Sequence, residues 1–474
     1  MTEYLNSGYF KAARLFLALL FAVFLPYKAD SQVIVAPKTV RIGMAQDISS
    51  QEFSVRGEYR LVDRENGNVL AYVLPGESWE IKCEGSELKI NKSGVRVAES
   101  GSVIGLQQVG RGMAVLGADG SLKNIGPSDT MSVISSGGNL SYLKMDGNVK
   151  IMGGLGLSNF KGGEEINLVT LKMSGRPQNF RGDMEFRAQG QGVTVINELP
   201  LEEYLYGVLP REMPASWPME ALKAQAVTSR TFAISRLGTY SSYGYDLLAT
   251  QMSQMYGGYD AEHPNGVRAV NETAGQILTN RGKPISAFFH SSSGGYIEDS
   301  GDVWKEPLEY IRAKADPYDR NTIHYNWAVT YDRQKLVDQL NSKSSLYNKP
   351  GQPVKIFKVI DSIDILEKTA SGARVKKICI TGQDAEGKAL IVEISNADAV
   401  RMALGLKSSL FTMQNVVDSS GKLVSITLTG SGYGHGLGMS QYGACGMADQ
   451  GYNYQDILKY YYNNCSVGPL SGVE

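Results

Sequence analysis

The sequence predicts a mixed α+β protein, in which a β-rich N-terminal region precedes a mixed α/β domain that carries a β-rich insertion. Short alternating polar and apolar runs such as Glu87–Lys92, separated by glycine-rich turns, indicate strands within residues 32–176. Apolar residues at helical spacing occur in residues 177–474, and strand-like runs return at about residues 332–422. With 474 residues, of which 42% are hydrophobic, the chain is long enough for two or three domains.

The first 31 residues have the pattern of a secretory signal peptide. Lys11 and Arg14 precede an apolar run at residues 15–25, and Pro26 and small residues up to Ser31 follow it. The run is shorter than the roughly 20 residues that cross a bilayer. We therefore expect an exported protein, which stays at the membrane only where this segment is not cleaved.

Charge and cysteine usage exclude several classes of protein. The formal net charge is -1, so no basic field points to nucleic acid. Cys83, Cys379, Cys445 and Cys465 are too widely scattered for a disulfide framework or a zinc module. Cys445 and Cys465 either pair in the folded chain or remain free thiols, and the sequence leaves both alternatives open.

Two predicted helices flank Glu212. The first has apolar residues at helical spacing from Leu201 onward, and Pro210 is predicted to end it. The second is predicted to begin after Ser216, as its N-cap, and to stop at Gly238. Glu212 is therefore predicted to lie on the connection between them.

Glu212 is a candidate for acid-base chemistry. Met213, Pro214 and Trp217 give it apolar neighbours, and removal from water raises the pKa of a carboxyl group toward the range of a general acid. The alternative is a solvated loop carboxylate that interacts with the dipole of the following helix.

Basic and imidazole side chains supply further candidates. Lys223 and Arg230 are seven residues apart, so they share one face of the second predicted helix. The alternative is that they are ordinary surface bases. His290 and His435 lie beside small residues, but a metal site would need a third ligand, and we identify none. Structural histidines are the alternative for both.

The glycine-rich segment at residues 430–444 matches no nucleotide or nucleophile motif. Its alternate glycines lack the spacing and the βαβ setting of a dinucleotide fingerprint, and no Gly-Lys-Ser/Thr follows as in a P-loop. Ser440 lacks the Gly-x-Ser-x-Gly spacing of a nucleophile elbow. With these motifs excluded, Glu212 remains the candidate for a catalytic residue.

The other predicted elements are strands at residues 193–196, 283–290, 354–359, 377–381 and 390–394 and helices at residues 396–404 and 454–462. The insertion at about residues 332–422 is expected to shape the wall of a groove.

Several ordered blocks carry a resemblance to a known family. They are LEEYL from Leu201, EMP from Glu212, EALKAQAV from Glu220, Arg230-Thr, Gln254-Met-Tyr256, HSSSGG from His290 and GHGLGMSQYGA from Gly434. Over about residues 180–466, and more loosely at residues 40–44, the chain resembles the stage II sporulation protein D family (SpoIID/LytB).

The resemblance implies a peptidoglycan lytic transglycosylase, which cuts the β-1,4 bond between N-acetylmuramic acid (MurNAc) and N-acetylglucosamine (GlcNAc). Glu212 would protonate the glycosidic oxygen and then accept the proton of the muramyl C6 hydroxyl as a 1,6-anhydro ring closes. Because the substrate supplies its own nucleophile, one carboxylate suffices, unlike the pair in ordinary glycosidases.

The resemblance also implies the rest of a substrate groove in this catalytic domain. The characteristic substrate is glycan without stem peptides, and Lys223 and Arg230 would bind its lactyl carboxylates. The side chains implied to line the groove are Gln254, Tyr256, His290, His435, Gln441 and Tyr442. Some members bind zinc through Cys and His just before the Gln-x-Tyr block, where residues 246–253 read DLLATQMS here, so we expect no metal and no other cofactor.

A second hypothesis follows from the amidase-enhancer branch of the resemblance. The protein would then be a non-catalytic, wall-binding activator of an N-acetylmuramoyl-L-alanine amidase. Both hypotheses imply a cell-wall location and peptidoglycan glycan strands as a partner, and the second adds the amidase.

Overall fold

The computed structural model describes residues 39–109, 113–116, 122–125, 130–134, 140–144, 166–304, 307–320 and 322–469. The predicted signal peptide lies outside these residues. The described part of the chain contains both helices and many strands, which confirms the mixed α+β class. None of its helices is long and apolar enough to cross a membrane.

Two sheets form the first part of the fold. Their strands, together with two short hairpins, are β1 (Val40–Ile48), β2 (Ser50–Arg56), β3 (Tyr59–Asp63), β4 (Val69–Val73), β5 (Trp79–Glu84), β6 (Glu87–Lys92), β7 (Val95–Ser100), β8 (Val103–Gln108), β9 (Met113–Leu116), β10 (Leu122–Ile125), β11 (Thr130–Ile134), β12 (Leu140–Lys144), β13 (Leu168–Met173), β14 (Arg176–Phe180), β15 (Asp183–Gln189), β16 (Gly192–Leu199) and β17 (Leu247–Leu248). One sheet has the order β17-β1-β16-β15-β8-β3-β4 and the other β14-β13-β2-β5-β6-β7, while β9 pairs with β10 and β11 with β12.

The two sheets pack on each other through aromatic side chains. Phe53 of β2 contacts Phe186 of β15 with ring centroids 5.4 Å apart, and it stacks on Trp79 of β5. All three rings are buried, and burying an aromatic side chain of this kind contributes about 1.5–3 kcal/mol. Strands from before residue 176 pair in both sheets with strands that begin at or after it, since β1 pairs with β16 and β13 pairs with β14.

The helices and the later strands complete the fold. The helices are α1 (Leu201–Glu212), α2 (Met219–Ser235), α3 (Pro264–Glu272), α4 (Ser300–Trp304), α5 (Arg333–Ser342), α6 (Ala397–Ala403), α7 (Gln441–Asp449) and α8 (Tyr454–Tyr461), with short 3-10 turns at Ser241–Tyr243, Tyr259–Ala261 and Ser344–Leu346. The strands are β18 (Gln276–Asn280), β19 (Lys283–Pro284), β20 (Phe289–His290), β21 (Tyr296–Ile297), β22 (Lys314–Ala315), β23 (Trp327–Asp332), β24 (Val359–Lys368), β25 (Val375–Gln383), β26 (Ala389–Ser395), β27 (Phe411–Val417), β28 (Leu423–Gly430), β29 (Met439–Ser440) and β30 (Ser466–Pro469).

Helix α2 is central to the helical part. It is buried on nearly every face, and Ala224 and Val227 share a core with residues of β18, α7 and α8, such as Leu278, Met447 and Leu458. The glycine-rich segment before α7 is thereby held against the helix that follows Glu212.

The prediction that Pro210 ends the first helix is wrong. Helix α1 continues through Pro210 to Glu212, and the N–H of Met213 still donates to the carbonyl of Leu209 at 2.9 Å. A proline removes one helical hydrogen bond, but here other segments also hold the end of the helix, because Gly257 donates to the carbonyl of Gly207 and the side chain of Gln441 donates to that of Glu212. Glu212 is consequently the last helical residue rather than a loop residue.

The predicted N-cap of the second helix is also wrong. Helix α2 begins at Met219 and Pro218 is its N-cap residue, with no side-chain cap. Proline is well suited to a helix start because its φ is already helical and the missing N–H would have had no helical partner.

Residues 327–430 form a core of their own. The sheets β24-β25-β26 and β23-β28-β27 enclose buried apolar side chains with α5 and α6, among them Trp327, Leu336 and Ile378. The predicted strands at residues 377–381 and 390–394 fall within β25 and β26, and the predicted helix at 396–404 is α6 with Asn396 as its N-cap.

Two predicted strands differ from the structure. Residues 283–290 are interrupted, because Phe289–His290 leaves the hairpin with β18 and pairs in parallel with Met439–Ser440. The run predicted at residues 354–359 becomes a strand only from Val359 onward.

All four cysteines are free thiols, so Cys445 and Cys465 are unpaired here.

Candidate functional site

Glu212 is where α1 meets two segments that are remote in sequence. Its Oε1 accepts a 2.8 Å hydrogen bond from the backbone N–H of Met255, and its backbone carbonyl accepts one of 2.9 Å from the side chain of Gln441. From the described residues, no further hydrogen bond reaches the Glu212 carboxyl group. One carboxyl oxygen is therefore left for a ligand.

The surroundings favour the protonated form of Glu212. Burial raises the pKa of this carboxyl group, while the hydrogen bond from Met255 and the charge of Arg211 oppose the rise. No second carboxylate is among the groups that shift it. A general acid needs such a protonated fraction near its working pH.

The side chains on either side of Met255 are buried. Gln254 accepts from the hydroxyl of Tyr204 at 3.3 Å, and the hydroxyl of Tyr256 donates to Asn197 at 2.9 Å. Gln254 and Tyr256 are only 1% and 7% exposed, so the expectation that they line a groove does not agree with their positions. They instead hold the segment whose N–H binds Glu212.

Gln441 and Tyr442 lie beside Glu212, at the start of α7. The side-chain amide of Gln441 donates its hydrogen bond to the Glu212 carbonyl. The ring of Tyr442 is half-buried, and its centroid lies 4.8 Å from that of Trp217. The Tyr442 N–H donates to Ser291 at 3.0 Å, which fixes its backbone. Tyr442 and Trp217 thus form a partly exposed aromatic pair, one ring next in sequence to Gln441 and the other five residues after Glu212.

The two predicted histidines contact each other around Leu437. His290 Nδ1 donates to the Leu437 carbonyl, and the Leu437 N–H donates to His435 Nδ1, both at 3.0 Å. Burial lowers the pKa of His290 well below its usual value and that of His435 to about 4, so both rings are neutral at neutral pH. His290 is 4% exposed, which disagrees with a groove-lining role, whereas His435 is half-buried.

The two predicted cations are engaged by protein carboxylates. Arg230 is fully buried, and two of its nitrogens contact Glu202 at 2.9 and 2.6 Å. Lys223 lies 2.9 Å from Glu220 and 2.7 Å from Glu272. The expectation that Arg230 binds a substrate carboxylate does not agree with this burial, and Lys223 is already paired twice.

The alternate glycines at residues 432–438 are explained by packing. All four have positive φ, which side chains rarely adopt. A Cβ on Gly436 would lie 2.2 Å from the buried guanidinium of Arg374, and one on Gly438 would lie 2.0 Å from the carbonyl of Phe288. The segment therefore folds as a tightly packed loop that leads into α7.

Asp319 is a buried residue that the sequence reasoning missed. Its Oδ2 accepts hydrogen bonds from Ser292, Ser293 and Gly294 at 2.8 to 2.9 Å. Asp319 thereby holds the HSSSGG loop, which in turn binds the backbone of Tyr442. In the sequence, the Asp-Pro-Tyr-Asp turn at residues 316–319 is the pattern that could have pointed to Asp319.

Zinc does not fit the segment that carries its ligands in some members of the resembled family. Asp246 accepts from the backbone N–H groups of Arg41 and Gly238, and Ser253 accepts from that of Leu248. Nowhere in the described ranges do three His, Cys, Asp or Glu side chains form a group that could hold a metal ion.

Asp316 should make the stability depend on pH. It is fully buried, it accepts from the hydroxyl of Tyr461 at 3.2 Å, and burial raises its pKa from 3.8 to about 6. The folded state then binds the proton more tightly, so the stabilisation is complete below the unfolded pKa and is lost as the pH rises to about 6. The shift corresponds to roughly 3 kcal/mol.

Asp316→Asn is therefore expected to make the fall in unfolding free energy between about pH 4 and about pH 7 smaller, because Asn keeps an acceptor for Tyr461 and cannot ionise. Urea unfolding at both pH values measures this. The exposed Asp338→Asn is the matched control, and an unchanged slope in Asp316→Asn would contradict the assignment.

Comparison with known proteins identifies the family. Residues 189–280 match the SpoIID family model, described as stage II sporulation protein, and residues 305–438 match a domain of unknown function, DUF8618. The stage II sporulation protein D of Bacillus subtilis is 32% identical over 291 residues, which cover 57% of this chain and 75% of that protein. The chain belongs to the SpoIID family.

The chain is also similar to two other proteins over comparable lengths. The amidase enhancer of Bacillus subtilis is 35% identical over 296 residues, which cover 54% of this chain but only 39% of that protein. An uncharacterized protein of Brachyspira hyodysenteriae is 32% identical over 304 residues, covering 61% of this chain and 72% of that protein. The SpoIID model includes Glu212 and Met255, while Gln441 lies beyond both matched segments.

Proposed function

We propose that this SpoIID-family protein is an exported peptidoglycan lytic transglycosylase of the cell wall, acting in wall remodelling or sporulation. It would cleave the MurNAc-β-1,4-GlcNAc bond of peptide-stripped glycan strands and leave 1,6-anhydro-MurNAc ends. The observation that carries the proposal is Glu212, a largely buried carboxyl group with a raised pKa and one oxygen left for a ligand. Export rests on the N-terminal sequence pattern.

One carboxyl group can complete this reaction. Protonated Glu212 gives its proton to the glycosidic oxygen as the bond from that oxygen to muramyl C1 breaks, and GlcNAc leaves with a free 4-hydroxyl. The muramyl O6 then bonds to C1, and the Glu212 carboxylate takes the O6 proton. The proton is returned and no water is consumed, so the absence of a second carboxylate among the groups acting on Glu212 fits the scheme.

The aromatic neighbours support a sugar substrate. Trp217 follows Glu212 by five residues, and Tyr442 follows Gln441, whose side chain donates to the Glu212 carbonyl. Their ring centroids are 4.8 Å apart, and both keep part of their surface exposed. Aromatic rings pack against the C–H face of a pyranose and present little charge that would compete with the acid.

The alternative proposal is a wall-binding activator of an N-acetylmuramoyl-L-alanine amidase. It is favoured by the relative named amidase enhancer, at 35% identity. In that case Glu212 would have no role in bond cleavage, and the partly exposed aromatic rings would serve binding alone.

Purified protein incubated with amidase-treated glycan strands distinguishes the two. We expect products with 1,6-anhydro ends by liquid chromatography and mass spectrometry, lighter by one water than the products of hydrolysis. Glu212→Gln protein purified in the same way controls for host enzymes. If the unmutated protein yields no anhydro product but accelerates a purified amidase on intact wall, the activator replaces the transglycosylase.

A further inference from the structure

A row of aromatic rings leads away from Glu212. The ring of Trp217 lies 4.8 Å from that of Tyr442, Tyr442 lies 5.7 Å from His324, and His324 lies 4.9 Å from Tyr433. We call these four residues the aromatic row. Tyr433 is 44% exposed and the other three are half-buried, so the row is accessible along its length.

A lysine stands at the far half of the row. Lys407 Nζ lies 3.4 Å from His324 Nδ1, and the Lys407 carbonyl accepts from the N–H of Gly434 at 2.8 Å. Within the described part of the chain, Lys407 forms no ion pair with a carboxylate. Lys407 is half-buried as a residue, so part of its surface stays open to a ligand.

The histidine beside Lys407 is neutral. Burial and the Lys407 charge lower the pKa of His324. Its Nδ1 can then accept a hydrogen bond from Lys407, which orients the ammonium group without neutralising it.

We propose that the aromatic row and Lys407 form a subsite for a sugar unit beyond the scissile bond, with Lys407 binding the lactyl carboxylate of a peptide-stripped muramyl residue. This inference rests on the proposed glycan substrate. Ring faces would pack on the sugar, and an ammonium-carboxylate hydrogen bond in a partly desolvated site is stronger than one in water.

The proposed subsite supplies a cation that is free to bind a substrate carboxylate, which Arg230 and Lys223 do not. Arg230 is buried against Glu202, and Lys223 is held by two glutamates. Lys407 has neither constraint, and ring contacts lead from His324 beside it through Tyr442 to Trp217, five residues after Glu212. It lies within the segment that matches a domain of unknown function, so the proposal gives that segment a role in substrate choice.

The test measures binding by calorimetry in a Glu212→Gln background, which prevents turnover. Two probes are compared: a peptide-free GlcNAc-MurNAc tetrasaccharide, and chitotetraose, which has the same β-1,4 backbone without lactyl carboxylates. We expect about tenfold tighter binding of the muramyl probe, a difference of about 1.4 kcal/mol, and loss of that preference in Lys407→Met. Lys407→Arg should retain part of it, and Tyr433→Leu should weaken both probes.

The exposed Lys388→Met is the matched control, and thermal unfolding confirms that each variant is folded. Equal binding of both probes by the parent protein, or an unchanged preference in Lys407→Met, overturns the subsite. The outcome is separable from that of the proposed function: cleavage with 1,6-anhydro products alongside an unchanged preference removes only the subsite, whereas a Lys407-dependent preference without cleavage removes only the transglycosylase.

Discussion

Glu212→Gln is expected to lower the rate of 1,6-anhydro product formation about 10³-fold or more, since one group serves as both acid and base in the proposed reaction. Gln has nearly the same shape, and its oxygen can still accept the 2.8 Å hydrogen bond from Met255. The loss should therefore come from the missing proton and not from a displaced loop. Initial rates on amidase-treated glycan strands measure it.

Glu203 provides the matched control. It lies on the same helix, and burial raises the pKa of its carboxyl group as well. Glu203→Gln should keep most of the activity, because a raised pKa without a place beside the glycan confers no catalysis. Equal activities of the two variants would contradict the role of Glu212.

Thermal unfolding of Glu212→Gln distinguishes a loss of catalysis from a loss of folding. The raised pKa of Glu212 means that its contribution to stability is present below the unfolded pKa and is lost as the pH rises through the folded one. Glu212→Gln should thus unfold at the same temperature as the parent at neutral pH, or at a higher one. A lower unfolding temperature would show that the carboxylate has a structural role.

Local patterns predicted the elements that depend on local chemistry. The strand Glu87–Lys92 and the helix at residues 454–462 were predicted from period and turn residues, and the structure contains both, the helix one residue shorter. The prediction from Pro210 was wrong because tertiary hydrogen bonds from Gly257 and Gln441 hold the end of α1. Propensity is a weak guide wherever packing decides.

The sequence singles out Glu212 as a candidate, but it predicts less about the residues that surround Glu212. Glu212 stood out because apolar residues follow it directly, and the structure surrounds it with contacts that fit that interpretation. Gln254 and Tyr256 are buried beside it, because a short motif does not reveal whether its side chains or its backbone face the ligand. The contacts of Met255 and Asp319 join segments that are remote in sequence, so no spacing indicates their partners, although a turn motif marks Asp319 itself.

Arg230 illustrates the same limit, since helical spacing places it on a face but does not tell which element covers that face. The guanidinium is fully buried, binds Glu202 through two nitrogens, and donates to the carbonyls of Gln276 and Val270. It thus joins α2 to α1 and to the chain around β18. Removing one partner of such a buried pair leaves unpaired polar groups behind.

Arg230→Met is accordingly expected to destabilise the protein by about 3–5 kcal/mol, with the lower end favoured because the side chain of Glu202 is 30% exposed and can regain water. Urea unfolding measures the change. Lys223→Met is the matched control on the same helix, and it should cost less than about 1 kcal/mol. If Arg230→Met unfolds like the parent but binds peptide-free glycan more weakly, the arginine contacts the substrate after all. A large loss of stability, partly restored by Arg230→Lys, would instead show that Arg230 holds α1, and with it Glu212, in place.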